Sequence, residues 1–498
     1  MKTWITHGFD KIIVDMPAPE KLNKTYDLYL TKGGKGTCQI VVNNDTDTKA
    51  SLKMNLATGV ECQVYTLDHI HEINGHFYTD PIVPYEGEVM DVKGGISLPF
   101  LLDVKADNAG DTTVTFDVLD ADGKVIETFS LNLHVWSFAL PAEKAFATSV
   151  GINRWHIQRF DSSPESHKPY YDLLLENNIC GHTMPYDILD ERADAYMSDP
   201  NVTSFVIGLW ELYGWSDEKI LQYYNKVKSN PDWFKKAIIY VIDEPSTEEA
   251  LTKYRAICKR FAELCPGIGV ISPFYTNKQM GEKMDQVDAM AGCTTLWCPK
   301  LNLWNDDHSY TPFLDYTPEK SFGERFKDFQ KRGDVVWSYV CNAPLSPYGQ
   351  LFIDTDGLMH RLVIWQHFQR DLSGFLYWGT TSWGYHGNDG INPWETPYNG
   401  VNGCNPGETA GPVYGEGFLM YPGAAIGREG AIGSIRIKIL RDALDDIELL
   451  SLASKVLGKE WVMAKVDEAT PTLTTYTTHE RFVEIRKEIG DAVEAALK

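Results

Sequence analysis

The residues best suited to chemistry are two adjacent carboxylates, Asp243 and Glu244, at the end of an apolar segment. Residues Ala237 to Ile242 have the composition of a buried parallel strand, and Pro245 ends it after the two acids. Two neighbouring carboxylates repel each other, and partial burial raises the pKa of one of them, as an acid catalyst requires. The alternative is a strand-to-helix turn in which Asp243 is a cap and Glu244 lies in water.

Aromatic and amide side chains follow the ends of the other apolar segments. These ends contain no Cys–His or Ser–His pair and no glycine-rich phosphate loop. Aromatic walls with a few carboxylates suit a sugar, whose apolar ring faces stack on Trp and Tyr. Each aromatic residue taken alone is explained as readily by core packing, so only the cluster has weight. The candidate substrate-binding residues are Tyr186, Trp210, Tyr275, Trp297, Tyr339, Asn342, Trp378 and Trp383.

The adjacency of the two acids restricts the mechanism of glycoside cleavage. A retaining glycosidase with two opposed carboxylates holds them about 5–5.5 Å apart on either side of the anomeric centre, usually on different strands. Neighbours in sequence do not easily flank a sugar ring. They can cooperate if the nucleophile is the substrate's own 2-acetamido oxygen. Glu244 would then protonate the leaving oxygen, and Asp243 would orient the acetamide N–H and stabilise the oxazolinium ion.

Eight apolar strands that alternate with helical patterns would position these residues. This order is typical of a (β/α)₈ barrel, whose active site lies at the carboxyl ends of its strands, and the two acids close the fourth strand. The pattern leaves the register of the second, third and sixth strands open. The predicted strands are 147–152, 182–187, 203–210, 237–244, 268–275, 289–297, 334–341 and 374–380. Helical stretches are predicted at 248–265 and 357–371.

Different patterns flank the barrel on both sides. Short alternating runs separated by Gly, Asn and Asp predict an N-terminal β-sandwich, with a hairpin turn at 120–124. The motif KGGKGT at 32–37 has the wrong order for a phosphate loop and is interpreted as a hairpin loop. The stretch 384–430 lacks periodicity and predicts a long ordered loop beside the site. The spacing of apolar residues again predicts helices at 434–457 and 479–498. The predicted domains are therefore 1–140, 141–435 and 436–498.

The composition narrows the class of protein. The 498 residues are too many for one hydrophobic core, and a net charge of −23 disfavours nucleic acid and anionic membranes as partners. No run of about 18 apolar residues predicts a membrane span. The start lacks a signal-peptide pattern and nine scattered Cys indicate reduced thiols, so we expect a cytoplasmic protein unless the sequence is shortened at its start. No zinc-ligand spacing occurs, and neither a metal nor a cofactor is expected.

Several segments together resemble glycoside hydrolase family 123 and the related domain-of-unknown-function family 4091. The resemblance spans almost the whole chain, and the order and spacing of the segments are more specific than any one of them. It implies a β-sandwich, a (β/α)₈ barrel and a helical tail, with exo-acting, retaining, substrate-assisted β-N-acetylgalactosaminidase activity that needs no metal. The matching segments are 98–104, 134–141, 240–246, 296–299, 337–344, 352–357, 374–383, 415–423 and 434–450.

The resemblance also assigns roles to single residues. It implies that Glu244 is the acid/base and Asp243 the stabilising acid. Tyr339, in the matching segment of the seventh strand, is predicted to bind the acetamide carbonyl, with Tyr275 as the other candidate. The tryptophans of the eighth-strand segment would form part of the sugar pocket; these are Trp378 and Trp383.

Arg441, in the tail, also falls in a matching segment. We interpret it as a structural clamp that pairs with Asp445 or Glu448 and ties the tail to the barrel.

Two further functions stay open. One is a glycosidase of the same fold with another specificity, such as a β-N-acetylglucosaminidase; the other is a carbohydrate-binding relative without activity. The choice between galacto and gluco configuration depends on the polar group that meets O4, for which Asp187, Glu211 and Asn342 are candidates. The predicted partner is a glycan with N-acetylgalactosamine at its non-reducing end.

Overall fold

A computed structural model describes residues 1–208, 214–240, 242–275, 279–305, 314–384, 390–401 and 411–498. The strands of the first 140 residues are β1 (Lys2–His7), β2 (Thr25–Leu30), β3 (Lys35–Asn43), β4 (Thr48–Asn55), β5 (Val60–Thr66), β6 (Ile70–Ile73), β7 (His76–Thr79), β8 (Val83–Pro84), β9 (Met90–Val92), β10 (Leu98–Ala106), β11 (Gly110–Leu119) and β12 (Val125–Val135).

The later strands are shorter and alternate with helices. They are β13 (Ala147–Val150), β14 (Phe205–Val206), β15 (Ala237–Tyr240), β16 (Gly269–Phe274), β17 (Gln279–Gly281), β18 (Met284–Asp285), β19 (Leu296–Pro299), β20 (Val335–Val336), β21 (Ser338–Val340), β22 (Gly374–Tyr377), β23 (Tyr398–Val401), β24 (Pro412–Tyr414), β25 (Met420–Pro422) and β26 (Ala431–Gly433). The helices are α1 (Arg154–Gln158), α2 (Lys168–Leu175), α3 (Ala193–Met197), α4 (Asp217–Lys228), α5 (Pro231–Lys236), α6 (Glu248–Leu264), α7 (Gln286–Met290), α8 (Phe322–Lys331), α9 (Gly357–Gln369), α10 (Ile435–Leu457), α11 (Lys459–Ala469) and α12 (His479–Leu497).

The N-terminal region is a pair of five-stranded sheets. One has the order β1-β3-β10-β5-β8 and the other β2-β12-β11-β4-β9. Alternate residues of β12 point inward, as Phe129, Leu131 and Leu133 show, and they meet buried residues of the opposite sheet such as Phe100. The predicted turn at 120–124 joins β11 to β12, which pair antiparallel, and Gly123 there has φ of 77°.

The prediction that residues 32–37 form a hairpin loop is wrong. The turn joins β2 to β3, and these strands belong to opposite sheets. Its geometry is that of a local turn, because the Gly34 N–H donates to the Thr31 carbonyl at 2.8 Å. Turn chemistry predicts the change of direction, but it does not show whether the chain returns to the same sheet or crosses to the other.

The middle of the chain forms two parallel sheets, β13-β22-β21 and β14-β15-β16-β19-β20. The predicted second strand, 182–187, is not a strand. Its place between β13 and β14 is taken by Gly181 and His182: the His182 N–H donates to Val150 and the His182 carbonyl accepts from Val206, at 2.7 and 3.0 Å. Within the described residues the named strands fall into two separate sheets, so the single closed sheet of the predicted (β/α)₈ barrel is not confirmed; parallel bridges at Val150–Gly181 and Lys300–Tyr339 join the edges of these sheets.

The sixth strand is displaced from its prediction at 289–297. Asp285 and Asp288 form a capping box that starts α7, so the first predicted strand residues, Ala289 and Met290, end a helix instead. Strand β19 begins seven residues later, at Leu296, and pairs with β16. An apolar run does not distinguish a short buried helix from a strand, which explains the error.

The parallel strands are buried on both faces. The inner-face cluster contains Val206, Ile238, Tyr240, Ile271, Leu296, Cys298, Trp337, Tyr339 and Leu376. Residues between them on the strands, such as Ile239 and Val270, pack against the helices. Tyr240 and Tyr339 thus place their rings on the inner face, near the strand ends where the two acids lie.

Helices α9 to α12 form a third core that the sandwich shares. Apolar side chains of α10 and α12 pack with Leu101 and Trp136 of the sandwich. The clamp predicted for Arg441 exists, but its partners are Asp103 of the sandwich and Asp442, at 2.6 Å each, rather than Asp445 or Glu448. The described helices include none that is both long and apolar enough to cross a membrane.

Candidate active site

The loop that carries Asp243 and Glu244 is fixed in place from two sides. The Glu244 N–H donates to the carbonyl of Pro273 on β16 at 3.1 Å, and the buried Gln286 amide donates to the Pro245 carbonyl at 2.7 Å. Glu244 has φ of 45°, in the left-handed region that non-glycine residues seldom adopt. Such a conformation persists where surrounding contacts impose it, which occurs most often at functional sites.

Asp243 receives a hydrogen bond from the residue that ends β15. The Tyr240 hydroxyl donates to Asp243 Oδ1 at 2.9 Å. The pKa of Asp243 is raised because the surrounding protein limits hydration of its carboxylate, and the Tyr240 hydrogen bond opposes this rise. The Asp243 side chain stays accessible to solvent, so a substrate can reach it.

Glu244 has a different donor, the hydroxyl of Tyr339, which bonds to Oε1. Burial raises the pKa of Glu244 and the neighbouring Asp243 charge raises it further, whereas the Tyr339 hydrogen bond and the Lys300 charge lower it. Tyr339 was predicted to bind a substrate carbonyl. In the structure without ligand, its hydroxyl is directed at Glu244.

Two further residues complete the wall around Glu244. Lys300, one residue after β19, is 2% exposed, and its ammonium lies 5.6 Å from the ring centroid of Tyr275. Tyr275 follows β16 and is half-buried, in agreement with its predicted place at a strand end. Lys300 was not predicted. It lies in the sequence directly after the segment 296–299, so its place at a strand end was the available signal.

Trp378 lies directly after β22 and is half-buried. Its indole N–H donates to Oε1 of Glu416, a residue that sequence reasoning did not single out. Burial raises the pKa of Glu416 to about 8. The site therefore has a third carboxyl group, supplied by the loop between β24 and β25.

Two predicted pocket tryptophans belong to the core instead. Trp297 stacks on Phe329 of α8 at 4.8 Å between ring centroids, on the helix side of β19. Trp383 is fully buried against Phe160 and Tyr170, and its indole donates to the Met420 carbonyl at 2.9 Å. Neither ring faces the two acids, because both are packed on the outer side of the strands.

The remaining predicted residues have mixed positions. The Arg192 guanidinium covers one face of the Tyr186 ring at 4.0 Å from its centroid, which removes that face as a sugar platform. Asn342 follows β21 and is half-buried. Trp210 lies outside the described residues, as does Glu211. Asp187 accepts a hydrogen bond from the Tyr223 hydroxyl at 2.6 Å.

The arrangement can carry out acid–base chemistry on a neutral ligand. The raised pKa of Glu244 suits a proton donor, and the Tyr240 hydroxyl favours the ionised form of Asp243 beside it, while Tyr275 and Trp378 provide aromatic surface. In the described part of the chain, no group of three or more His, Cys, Asp or Glu side chains is arranged to bind a metal ion.

The chain is similar to one family model and to several solved structures. Residues 218–453 match the family model of the glycoside hydrolase 123 catalytic domain. A family 123 glycoside hydrolase from Clostridium perfringens, studied for glycolipid glycan hydrolysis, is similar over 99% of this chain and 97% of its own, with a TM-score of 0.64 and 11% identity. A glycosyl hydrolase family 2 member from Bacteroides cellulosilyticus is similar over 70% of this chain and 44% of its own, at 10% identity and a TM-score of 0.27. No curated protein sequence matches the chain.

Proposed function

The segment 218–453 belongs to glycoside hydrolase family 123, and on this premise we propose that the protein is an exo-acting, retaining β-N-acetylgalactosaminidase. The substrate is a glycan with N-acetylgalactosamine at its non-reducing end. The 2-acetamido oxygen of the sugar attacks its own anomeric carbon, and water then opens the oxazolinium ion with retention of configuration. We further propose that the two parallel sheets serve this reaction as the two parts of a (β/α)₈-type barrel.

The observation that supports this proposal best is that the two adjacent acids have separate donors. Tyr240 donates to Asp243 and Tyr339 donates to Glu244, so the two carboxyl groups point to different tyrosines. Each acid can then have its own task, which an equivalent pair sharing one proton would not permit. Glu244, whose pKa is raised by both burial and Asp243, is the proton donor. Asp243, the more accessible, receives the acetamide N–H.

A panel of nitrophenyl glycosides tests the substrate class. We expect cleavage of the β-N-acetylgalactosaminide and none of the plain β-galactoside, because the latter lacks the internal nucleophile. Equal cleavage of both would refute substrate assistance. Faster cleavage of the β-N-acetylglucosaminide would support the other specificity, and no cleavage of any glycoside would favour a carbohydrate-binding role.

The roles of the two acids can be distinguished by a comparison of substrates with different leaving groups. Glu244→Gln is expected to lower kcat/KM by about 10²- to 10⁴-fold on a disaccharide, and by much less on a nitrophenyl glycoside, whose leaving group needs little protonation. Asp243→Asn should slow both substrates alike, because the oxazolinium ion forms in each case. Glu248, exposed in the first turn of α6, provides the matched control Glu248→Gln, which should retain wild-type rates. Near-wild-type cleavage of the disaccharide by Glu244→Gln would contradict the assignment.

A further inference from the structure

We propose that Glu416 is a sugar-binding residue that recognises hydroxyl groups on the ring edge remote from the anomeric carbon, next to the Trp378 indole. This inference rests on the proposed function, since it assumes that a glycoside occupies the space above Asp243 and Glu244. Glu416 would then determine specificity from a loop outside the parallel strands.

Glu416 is held between two glycines with left-handed backbones. Gly415 and Gly417 have φ of 73° and 72°. The Arg436 guanidinium donates to the Gly415 carbonyl at 2.7 Å, and the Gly417 N–H donates to the Tyr377 hydroxyl at 3.0 Å. The side chain between these anchors therefore has a fixed direction.

That direction brings the carboxyl group to Trp378. The indole N–H donates to Glu416 Oε1, and Gly417 lies against the same ring so closely that a Cβ atom there would be 2.2 Å from Trp378 Cζ2. Trp378 is half-buried at the end of β22, so part of its ring surface stays accessible. The carboxyl group and the ring form one rigid unit.

The carboxyl group of Glu416 has fewer partners than it can bind. The residue is 1% exposed, and within the described residues only the Trp378 indole donates to its carboxyl group. The raised pKa of Glu416 favours its protonated form, which can donate one hydrogen bond and accept others, and a buried carboxyl group without such partners is destabilised. Arg436 cannot supply them, because it binds Asp80 through two hydrogen bonds of 2.7 Å. Sugar hydroxyls are small donors and acceptors that suit such a group.

Glu416 and Glu244 are linked through two paired strands: Trp378, which donates to Glu416, directly follows β22, and β22 pairs with β21, whose Tyr339 donates to Glu244. Burial raises the pKa of the Cys341 thiol at the end of β21, and the Glu244 and Glu416 carboxyl groups add to this rise. If the anomeric carbon lies at Glu244, a bound pyranose presents its C4 and C6 edge to the opposite wall. We assign Trp378 and Glu416 to that wall.

Deoxy substrates test this contact directly. We expect the wild-type enzyme to cleave either the 4-deoxy or the 6-deoxy analogue of its nitrophenyl glycoside with a kcat/KM about 10- to 100-fold lower than the parent, since a charged or buried partner is left unpaired. Glu416→Leu should lower kcat/KM for the parent substrate by a similar factor. For that analogue, the variant and the wild-type enzyme should have almost the same kcat/KM. Trp378→Phe, which removes the indole N–H and keeps Glu416, is the matched control and should slow parent and analogues alike.

Two results would overturn the inference. One is a wild-type enzyme that cleaves the parent, 4-deoxy and 6-deoxy substrates at equal rates, a measurement that does not depend on folding of the variant. The other is a Glu416→Leu enzyme that loses the same factor on all three, since Glu416 would then only position Trp378. The proposed function fails separately, through the parent glycoside panel with the wild-type enzyme, and the deoxy series is built on whichever glycoside that panel identifies.

Discussion

Asp243 and Glu244 differ in their hydrogen-bond donors, although they are neighbours in the chain. Both acids have raised pKa values because the protein limits their hydration, and a tyrosine hydroxyl lowers each one again. The tyrosines come from β15 and β21, so the pKa of each acid can be changed without altering the other side chain. A change of one tyrosine should therefore act mainly on the limb of the pH profile that depends on its own acid.

Tyr240→Phe is expected to move the acid limb of the kcat/KM profile to higher pH. The Tyr240 hydroxyl donates to the ionised form of Asp243 and favours it, so its removal raises the pKa of Asp243. Asp243 must be ionised to stabilise the oxazolinium ion, and activity is then lost at a higher pH than in the wild type. Initial rates between pH 3 and pH 10 measure the shift; an acid limb that stays in place would argue against Asp243 as the ionised partner.

Tyr339→Phe is expected to move the alkaline limb to higher pH. The lost hydrogen bond raises the pKa of Glu244, and the proton donor then stays protonated at higher pH. The pH range of activity becomes wider with this variant and narrower with Tyr240→Phe. A shift of the acid limb alone would indicate the reverse assignment, with Glu244 as the ionised acid and Asp243 as the proton donor.

At the scale of elements, loops that return to the strand ends complete the site. The segment 379–384 and the turn 415–417 are joined because the Ser382 N–H donates to the Gly417 carbonyl at 2.9 Å. The side-chain amide of Asn399, within β23, donates hydrogen bonds to the backbone carbonyls of both Ser382 and Glu416. These contacts place Glu416 beside a strand end that is 38 residues earlier in the chain.

Gly417→Ala is expected to displace the Trp378 ring and lower kcat/KM by roughly 10-fold or more. The new Cβ would meet the indole, and the backbone there has φ of 72°. Gly427→Ala is the matched control, because it has the same φ and no heavy atom within 4 Å of the added Cβ. Both variants should lose about 1 kcal/mol or more of stability from backbone strain, and only Gly417→Ala should also lose activity. Equal activities would show that the Trp378 position is not critical.

The long helices and the fourth strand were predictable from sequence. The face of the sheet to which a given strand residue points was not. Helices α6, α10 and α12 have long apolar periods with charged residues between them, and these patterns predict them directly. Helix α9 lies within the predicted helical stretch 357–371, but it is buried on almost every side and so lacks the polar face of a surface helix. Trp297 was misplaced because a strand buried on both faces has no polar alternation to show which residues point inward.

Glu416 and Lys300 were not identified as site residues for a related reason. Glu416 lies in the matching segment 415–423 and Lys300 directly follows 296–299, but a charged residue in such a place does not show by itself that it will be buried beside the acids. Lys300 becomes a buried cation only because β19 ends beside β21, and Glu416 becomes a buried acid only because its loop folds back on Trp378. Long-range packing determines both positions.

At the scale of the whole molecule, buried ion pairs connect the three parts of the chain. Arg436 of α10 pairs with Asp80 after β7, and both are fully buried. Arg441 pairs with Asp103 of β10, and Arg361 of α9 pairs with Asp446 at 2.6 Å. Removal of one partner from such a pair leaves an uncompensated charge in the interior.

Arg436→Met is expected to destabilise the protein by about 3–5 kcal/mol, because Asp80 stays buried without its guanidinium partner. Arg436 holds the pKa of Asp80 below its ordinary value, so this pair stabilises the fold above that value and loses its effect as the pH falls through the lowered pKa. Chemical unfolding at pH 7 measures the loss. Lys49→Met, which breaks the exposed pair with Asp91, is the control and should lower the free energy of unfolding far less. Equal losses would show that the buried pair is energetically unimportant.

The contact between Arg436 and the Gly415 carbonyl makes the β-sandwich an inner support of the proposed sugar pocket. Asp80 of the sandwich orients Arg436, Arg436 holds the turn at Gly415, and that turn carries Glu416 to Trp378. The three parts are therefore not modules that can be exchanged or separated. A protein that began at residue 141 would keep both acids and lose the anchor of the turn that carries Glu416. Under the proposed function, we therefore expect substitutions in the N-terminal region to alter specificity without contact to the sugar.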